Sequence, residues 1–151
     1  MDNTRFTPFV LLIERISKNI KRIADKEMEP YGLRSSHVMC MLQLSKTENG
    51  LSSSSLADAC GVDKAFISRV TNELLKKGYI TKEEIPTKKY KTNFTLTQSG
   101  EEVIEKLNGI VANYVHCVNK NVPSTDIERF YEIMYEFDKE ITSIANGKTQ
   151  G

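Results

Sequence analysis

Tryptophan is absent from this chain, and histidine occurs only at His37 and His116. Two imidazoles so far apart fall short of the ligand set a zinc ion needs, and no cluster of other ligands stands beside them. Cysteine is also scarce. Cys40, Cys60 and Cys117 are odd in number and show no Cys-x-x-Cys spacing, which argues against a disulfide framework and a zinc knuckle. No apolar run approaches the roughly 18 residues of a membrane span. The opening stretch MDNTRFTPFVLLIERISKNIKR carries charges throughout its apolar part, unlike a signal peptide, so a cytoplasmic protein is expected. GxGxxG, P-loop, GxSxG and HExxH signatures are missing. The acidic pairs Glu83-Glu84 and Glu101-Glu102 are adjacent in sequence and diverge. The chain is therefore not expected to be an enzyme, nor to carry a cofactor or metal.

What is present is an ordinary globular composition, 39% hydrophobic and 27% charged over 151 residues, enough for one domain with a core of its own. The formal net charge of +1 hides a gradient. Residues 1–50 carry eight basic and six acidic side chains, residues 51–100 eight and five, and residues 101–151 five and nine. A basic centre in a near-neutral chain suggests one face for an anionic partner, with the acidic end kept away from it.

Periodicity orders the elements. Phe6, Phe9, Ile13, Ile16, Ile20 and Ile23 alternate steps of three and four, a heptad seam on a first helix that Glu29–Gly32 ends. RSSHVMCMLQLSK is a second helix, capped by Ser35 or Ser36. A short third helix follows, capped by Ser53 or Ser54 and ended by Gly61. Asp63 caps a fourth, KAFISRVTNELLKK, whose apolar stripe is Ile67, Val70 and Leu74; Lys64, Ser68, Arg69, Asn72 and Lys76 lie away from it. Gly78 stops it. YITKEEI and KTNFTL then alternate as two strands, joined through Pro86 and the cluster Lys88, Lys89 and Lys91. A fifth helix carries Val103, Leu107, Ile110, Val111, Tyr114 and Val118 on one face. A sixth is started by a Thr125–Glu128 capping box. It repeats the heptad pattern at Ile127, Phe130, Met134, Phe137, Ile141 and Ile144. The fold class is mainly α with a small β-ribbon.

The third and fourth helices, joined by CGVD, have the build of a helix-turn-helix: Gly61 for the turn, and Leu56, Ala57, Val62, Ile67 and Val70 for the clamp. The second helix of such a pair enters a major groove by its N-terminal half. Here that half offers Lys64, Ala65, Ser68 and Arg69, with Asn72 beyond. Arginine can pair with guanine, alanine can meet a thymine methyl, and lysine and serine can reach bases or phosphates. Ser53 and Ser54 offer hydroxyls and helix N–H groups to phosphate. The two strands that follow make a wing, which places Lys88, Lys89 and Lys91 at or near its tip, against phosphate or the minor groove.

At these residues the chain resembles the MarR family of bacterial transcription regulators. Leu51 to Ile80 follows the family pattern without a gap: Leu56-Ala57, Gly61-Val62-Asp63, Ser68-Arg69, Leu74 and Gly78-Tyr79-Ile80. LTQSG at Leu96–Gly100 is similar to the family's L-T-x-x-G, and YGLRSSHVM resembles the start of its second helix. Where the family has an Asp-x-Arg or Asp-Arg signature at the wing tip, this chain has Lys88-Lys89. A forked contact is replaced by a point charge, so the wing is expected to grip backbone more than to read sequence.

The resemblance implies a winged helix-turn-helix lobe, residues 34–98, flanked by dimerisation helices at 1–30 and 99–145 of a single 1–151 chain. It implies a homodimer whose interface includes Phe6, Phe9, Ile13, Ile127, Phe130, Met134, Phe137 and Ile141. It implies binding to double-stranded DNA at a pseudo-palindromic operator, for repression or activation, with a repressor as the reading adopted and release by a small aromatic effector. Tyr31 and His37 are the candidates for that effector's pocket, with plain packing as the competing role. The rival function is a winged-helix protein-interaction module without specific DNA binding. Arg69 has a competing role too, a helical ion pair with Glu73 four residues on. Cys40 and Cys60 sit among apolar neighbours, as inert core thiols do, and a cysteine switch is not expected.

Overall fold

The structure is a computed structural model and describes residues 3–84 and 92–147. The elements run α1 (Asn3–Met28), a 3-10 turn (Glu29–Tyr31), α2 (Ser35–Leu44), α3 (Ser53–Cys60), α4 (Lys64–Lys77), β1 (Ile80–Glu84), β2 (Thr92–Leu96), α5 (Gln98–Asn119) and α6 (Ser124–Ala145). This is the mainly helical architecture with one two-stranded ribbon that the periodicity predicts. Among the described residues no helix is long and apolar enough to cross a membrane.

The chain divides into two compact units, residues 1–106 and 107–151. The core of the first unit is built by α2, α3, α4 and the ribbon: Val38, Cys40, Met41, Leu44, Leu56, Ala57, Ile67, Val70, Leu74, Ile80 and Phe94 are all buried. Met28 and Leu33, either side of the 3-10 turn, join it. The stripe on α4 therefore does what its spacing demands, and removing those side chains from water is worth roughly 1.5–3 kcal/mol apiece.

The termini of α3 and α4 are set by local caps. Asp63 caps α4, its carboxylate accepting the Phe66 N–H at 2.7 Å. Gly61 and Gly78 end α3 and α4 in left-handed backbone, at φ +64° and +75°, where a side chain would be strained. Three caps differ from the sequence reading. Ser52, not Ser53 or Ser54, caps α3 and accepts the Ser55 N–H at 3.2 Å. All four serines are chemically equal caps, and the helix starts where Leu56 and Ala57 become buried. The cap position of α2 is Arg34, in extended backbone. Ser35 is already helical because its N–H is taken by Asp25 of α1 at 2.6 Å. No capping box starts α6: Pro123 holds the cap position and Thr125 lies inside the helix.

β1 and β2 pair antiparallel, Ile80 opposite Leu96 and Glu84 opposite Thr92. Leu51 adds a bridge to Phe94, with both backbone bonds made at 3.1 and 2.9 Å, so the residue before α3 is tied to the returning strand. The LTQSG turn has a compact physical basis. The Thr97 hydroxyl donates to the Gly78 carbonyl at 2.7 Å and accepts the Gly100 N–H at 3.2 Å, capping α5 and clipping it to the end of α4. Gly100 then lies directly against the Tyr79 carbonyl. On α5, Val103, Ile104 and Leu107 are buried; Ile104 was not in the stripe read from sequence.

Large apolar side chains that are exposed fall only at the ends of the chain among the described residues. They run from Phe6 to Ile23 on α1 and from Val111 to Ile144 on α5, α6 and the turn between them. No residue of α6 is buried. Of the seam residues, Phe6, Phe130 and Ile141 are exposed, while Phe9, Ile13, Ile127, Met134 and Phe137 are partly covered.

Candidate nucleic-acid interface

The turn between α3 and α4 is closed by backbone bonds from Gly61 to the Asp58 carbonyl and from Val62 to the Ala57 carbonyl, at 3.2 and 3.1 Å. The Asp63 cap fixes the first turn of α4. With Ile67, Val70 and Leu74 turned into the core, Lys64, Ala65, Ser68, Arg69 and Asn72 are all exposed. Thr71 is buried, and its hydroxyl donates to the Ile67 carbonyl at 2.8 Å. The helix thus presents a continuous polar face of two cations, a small apolar residue, a hydroxyl and an amide. That mixture is suited to base edges and phosphates together. Ser53 is partly covered and Ser54 exposed at the amino end of α3. Lys88, Lys89 and Lys91 lie outside the described residues, which include the two strands leading to and from them.

Arg69 does not pair with Glu73. Its guanidinium lies over the Phe66 ring, 5.2 Å from the centroid, a cation–π contact within one helical turn. Glu73 instead meets His37 of α2, Oε2 to Nε2 at 2.8 Å. That bond, ahead of nearby charges, holds the Glu73 carboxyl below its usual range.

A cavity of about 580 Å³ opens between the start of α2 and α4, lined by Arg34, Ser36, His37, Arg69, Glu73 and Lys77 among others. Arg34 and Lys77 were not singled out from sequence, and Ser36 only as a candidate helix cap. Arg69, Glu73 and Lys77 recur every four residues on one helical stripe, a signal that was legible. The presence of Arg34 beside that stripe is a tertiary fact. His37, one of the two effector candidates, is buried with both ring nitrogens engaged: Nδ1 accepts the Arg34 N–H at 3.0 Å, and Nε2 meets Glu73. Tyr31 is partly exposed, with the Lys106 ammonium 5.3 Å from its ring centroid. Of the thiols, Cys40 is buried, Cys60 partly covered and Cys117 exposed. Among the described residues no group of His, Cys, Asp and Glu could hold a metal ion.

A helix-turn-helix clamped to a β-ribbon, with a basic polar face on its second helix, defines the class of winged helix-turn-helix proteins. The comparisons agree. The model described as MarR family matches residues 31–89. An HTH-type transcriptional regulator of Clostridioides difficile, BilQ, is 23% identical over 133 residues, covering 88% of this chain and 89% of its own. Among solved structures, a MarR protein from Peptoclostridium difficile matches with a TM-score of 0.82 at 18% identity, over 93% of this chain and 92% of that one. The S. aureus MepR–DNA complex matches with a TM-score of 0.78 at 18% identity, over 87% of this chain and 97% of that one. Over residues 31–89 the chain matches the MarR family, and over most of its length it shares the fold of the solved MarR proteins.

Proposed function

We propose that this protein is a cytoplasmic repressor that binds a pseudo-palindromic operator in double-stranded DNA as a homodimer. The observation that carries the reading is the face of α4: Lys64, Ala65, Ser68, Arg69 and Asn72 exposed together, on a helix whose opposite stripe is fully buried. In this reading Arg69 pairs with a base edge. Ser53 and Ser54 meet phosphate, and Lys88, Lys89 and Lys91 of the wing grip the backbone. The match to a solved MepR–DNA complex supports the DNA partner. The exposed apolar side chains confined to the two ends of the chain support the homodimer, since such surface seeks a partner. Its interface would include Phe6, Phe9 and Ile13 with Ile127, Phe130, Met134, Phe137 and Ile141. A small aromatic effector would release DNA by docking at Tyr31 and disturbing the bonds His37 makes.

Selection of bound sequences from a random DNA pool tests this directly. A two-fold symmetric consensus is expected. Against it, Arg69→Ala should lose about 1–3 kcal/mol and relax one position of the site, while Lys88→Ala with Lys89→Ala should weaken all duplexes alike and flatten the salt slope. No enrichment, and no binding to random duplex at low salt, would favour a protein-interaction module instead.

A further inference from the structure

Arg69 and Glu73 are four residues apart on α4, the spacing at which opposite charges find each other on a helix. Paired, they would fold the Arg69 guanidinium back along its own helix and occupy donors that base recognition needs. They are not paired, and Glu73 is engaged instead by a residue on another element. His37, buried at 3% exposure, is held from one side by the amino end of α2, where its Nδ1 accepts the Arg34 N–H at 3.0 Å. A nitrogen that accepts a hydrogen bond carries no proton, so the ring proton sits on Nε2. Nε2 faces Glu73 Oε2 at 2.8 Å. The imidazole is thus a fixed donor aimed at the carboxylate. Arg69 lies over Phe66, and among the described residues no carboxylate is within ion-pair distance of it.

We propose that His37 is a positioning residue for DNA recognition: it draws Glu73 onto α2 and so leaves the Arg69 guanidinium available to DNA. The inference rests on the DNA-binding reading. The Arg34 N–H sets the tautomer of His37, His37 holds Glu73, and the release of Arg69 follows. The chain from α2 to the reading face is short, and its first two links are contacts described above.

Two substitutions separate this role from simple packing. His37→Leu fills the volume without a donor, and His37→Gln keeps an N–H that can reach Glu73. On the selected operator, measured by fluorescence anisotropy, His37→Leu should bind about 1.5- to two-fold more weakly, the worth of one helical ion pair. His37→Gln should stay near the wild type. Adding Glu73→Gln to His37→Leu should restore the affinity, because the competing charge is gone. An unchanged affinity in His37→Leu, or a loss that Glu73→Gln does not reverse, overturns the proposal. If His37→Leu fails to fold, nitrogen NMR of the wild-type ring decides: an Nε2–H tautomer with Nδ1 accepting supports it, and an Nδ1–H or averaging ring overturns it. A wild type that enriches no DNA would instead overturn the DNA-binding reading, and with it this role.

Discussion

The Tyr79 hydroxyl donates a hydrogen bond to the backbone carbonyl of Tyr31 at 3.0 Å, across 48 residues of sequence. It fastens the exit of α4 to the 3-10 turn that follows α1, so the last residue before β1 and the entry to α2 are one assembly. Both residues are partly exposed, so water can partly replace the bond. Tyr79→Phe should cost about 0.5–1.5 kcal/mol. A urea melt would report this as a lower midpoint with an unchanged slope. An unmoved midpoint would mean the bond contributes nothing in solution.

Asp25 plays the part of a cap from outside the helix it caps. Its carboxylate accepts the Ser35 N–H at 2.6 Å, and this bond is the main reason its carboxyl sits below the ordinary value of 3.8. A carboxyl depressed in the folded state stabilises above its unfolded value, and the contribution is lost as pH falls through the folded one. Asp25→Ala should therefore cost about 0.5–1 kcal/mol at neutral pH, the low end for a cap because the group is exposed. The gap to the wild type should close as pH drops below 3.8. Glu73 has the same sign, held below 4.5 chiefly by His37. Urea midpoints near pH 7 and in acid decide; a gap equal at both would show that the carboxylate is not the cap.

Local signals in the sequence were legible because they act locally. Asp63, Gly61 and Gly78 bound their helices through bonds to residues at most a few positions away, and Ile67, Val70 and Leu74 share a face by helical geometry alone. The family-like LTQSG turn was visible as a pattern, but its reason was not: Thr97 and Gly100 matter through Gly78 and Tyr79 of the preceding helix end. What sequence reasoning missed is tertiary in the same way. Whether Glu73 turns to Arg69 or to His37 depends on where α2 lies. Ser35 begins a helix without capping it because Asp25 is there, ten residues back.

Gly100 and Gly109 make a contrast on one helix. A Cβ at Gly100 would run into the Tyr79 carbonyl and meet Leu96 Cδ2 at 3.2 Å. Backbone cannot step aside there, because Thr97 clips it to both Gly78 and Tyr79. Gly100→Ala should cost about 1–3 kcal/mol, as overpacking does. A Cβ at Gly109 meets nothing within 4 Å, so Gly109→Ala should gain about 0.5–1 kcal/mol by stiffening the unfolded chain. Thermal melts of the two variants should move in opposite directions. A Gly100→Ala protein as stable as the wild type would remove the close approach as the reason for the glycine.

The three thiols should react in order of exposure. Cys40 is 0% exposed, and burial pushes its thiol up to about 12. Cys60 is raised as well, again by burial first, while its thiol lies 4.0 Å from the Met39 carbonyl. The thiolate is the reactive species, so neither core thiol offers an oxidant or alkylating agent a foothold at neutral pH. Cys117, exposed on α5, should be labelled first by a thiol reagent, Cys60 more slowly, and Cys40 only as the fold opens. Cys117→Ser should remove the fast phase, and urea should bring Cys40 into reach. Fast labelling of Cys40 in the native protein would contradict the packing of α2 described here. For the same reason, peroxide treatment of the Cys117→Ser protein should leave DNA binding unchanged, which a gel-shift titration with and without oxidant would show.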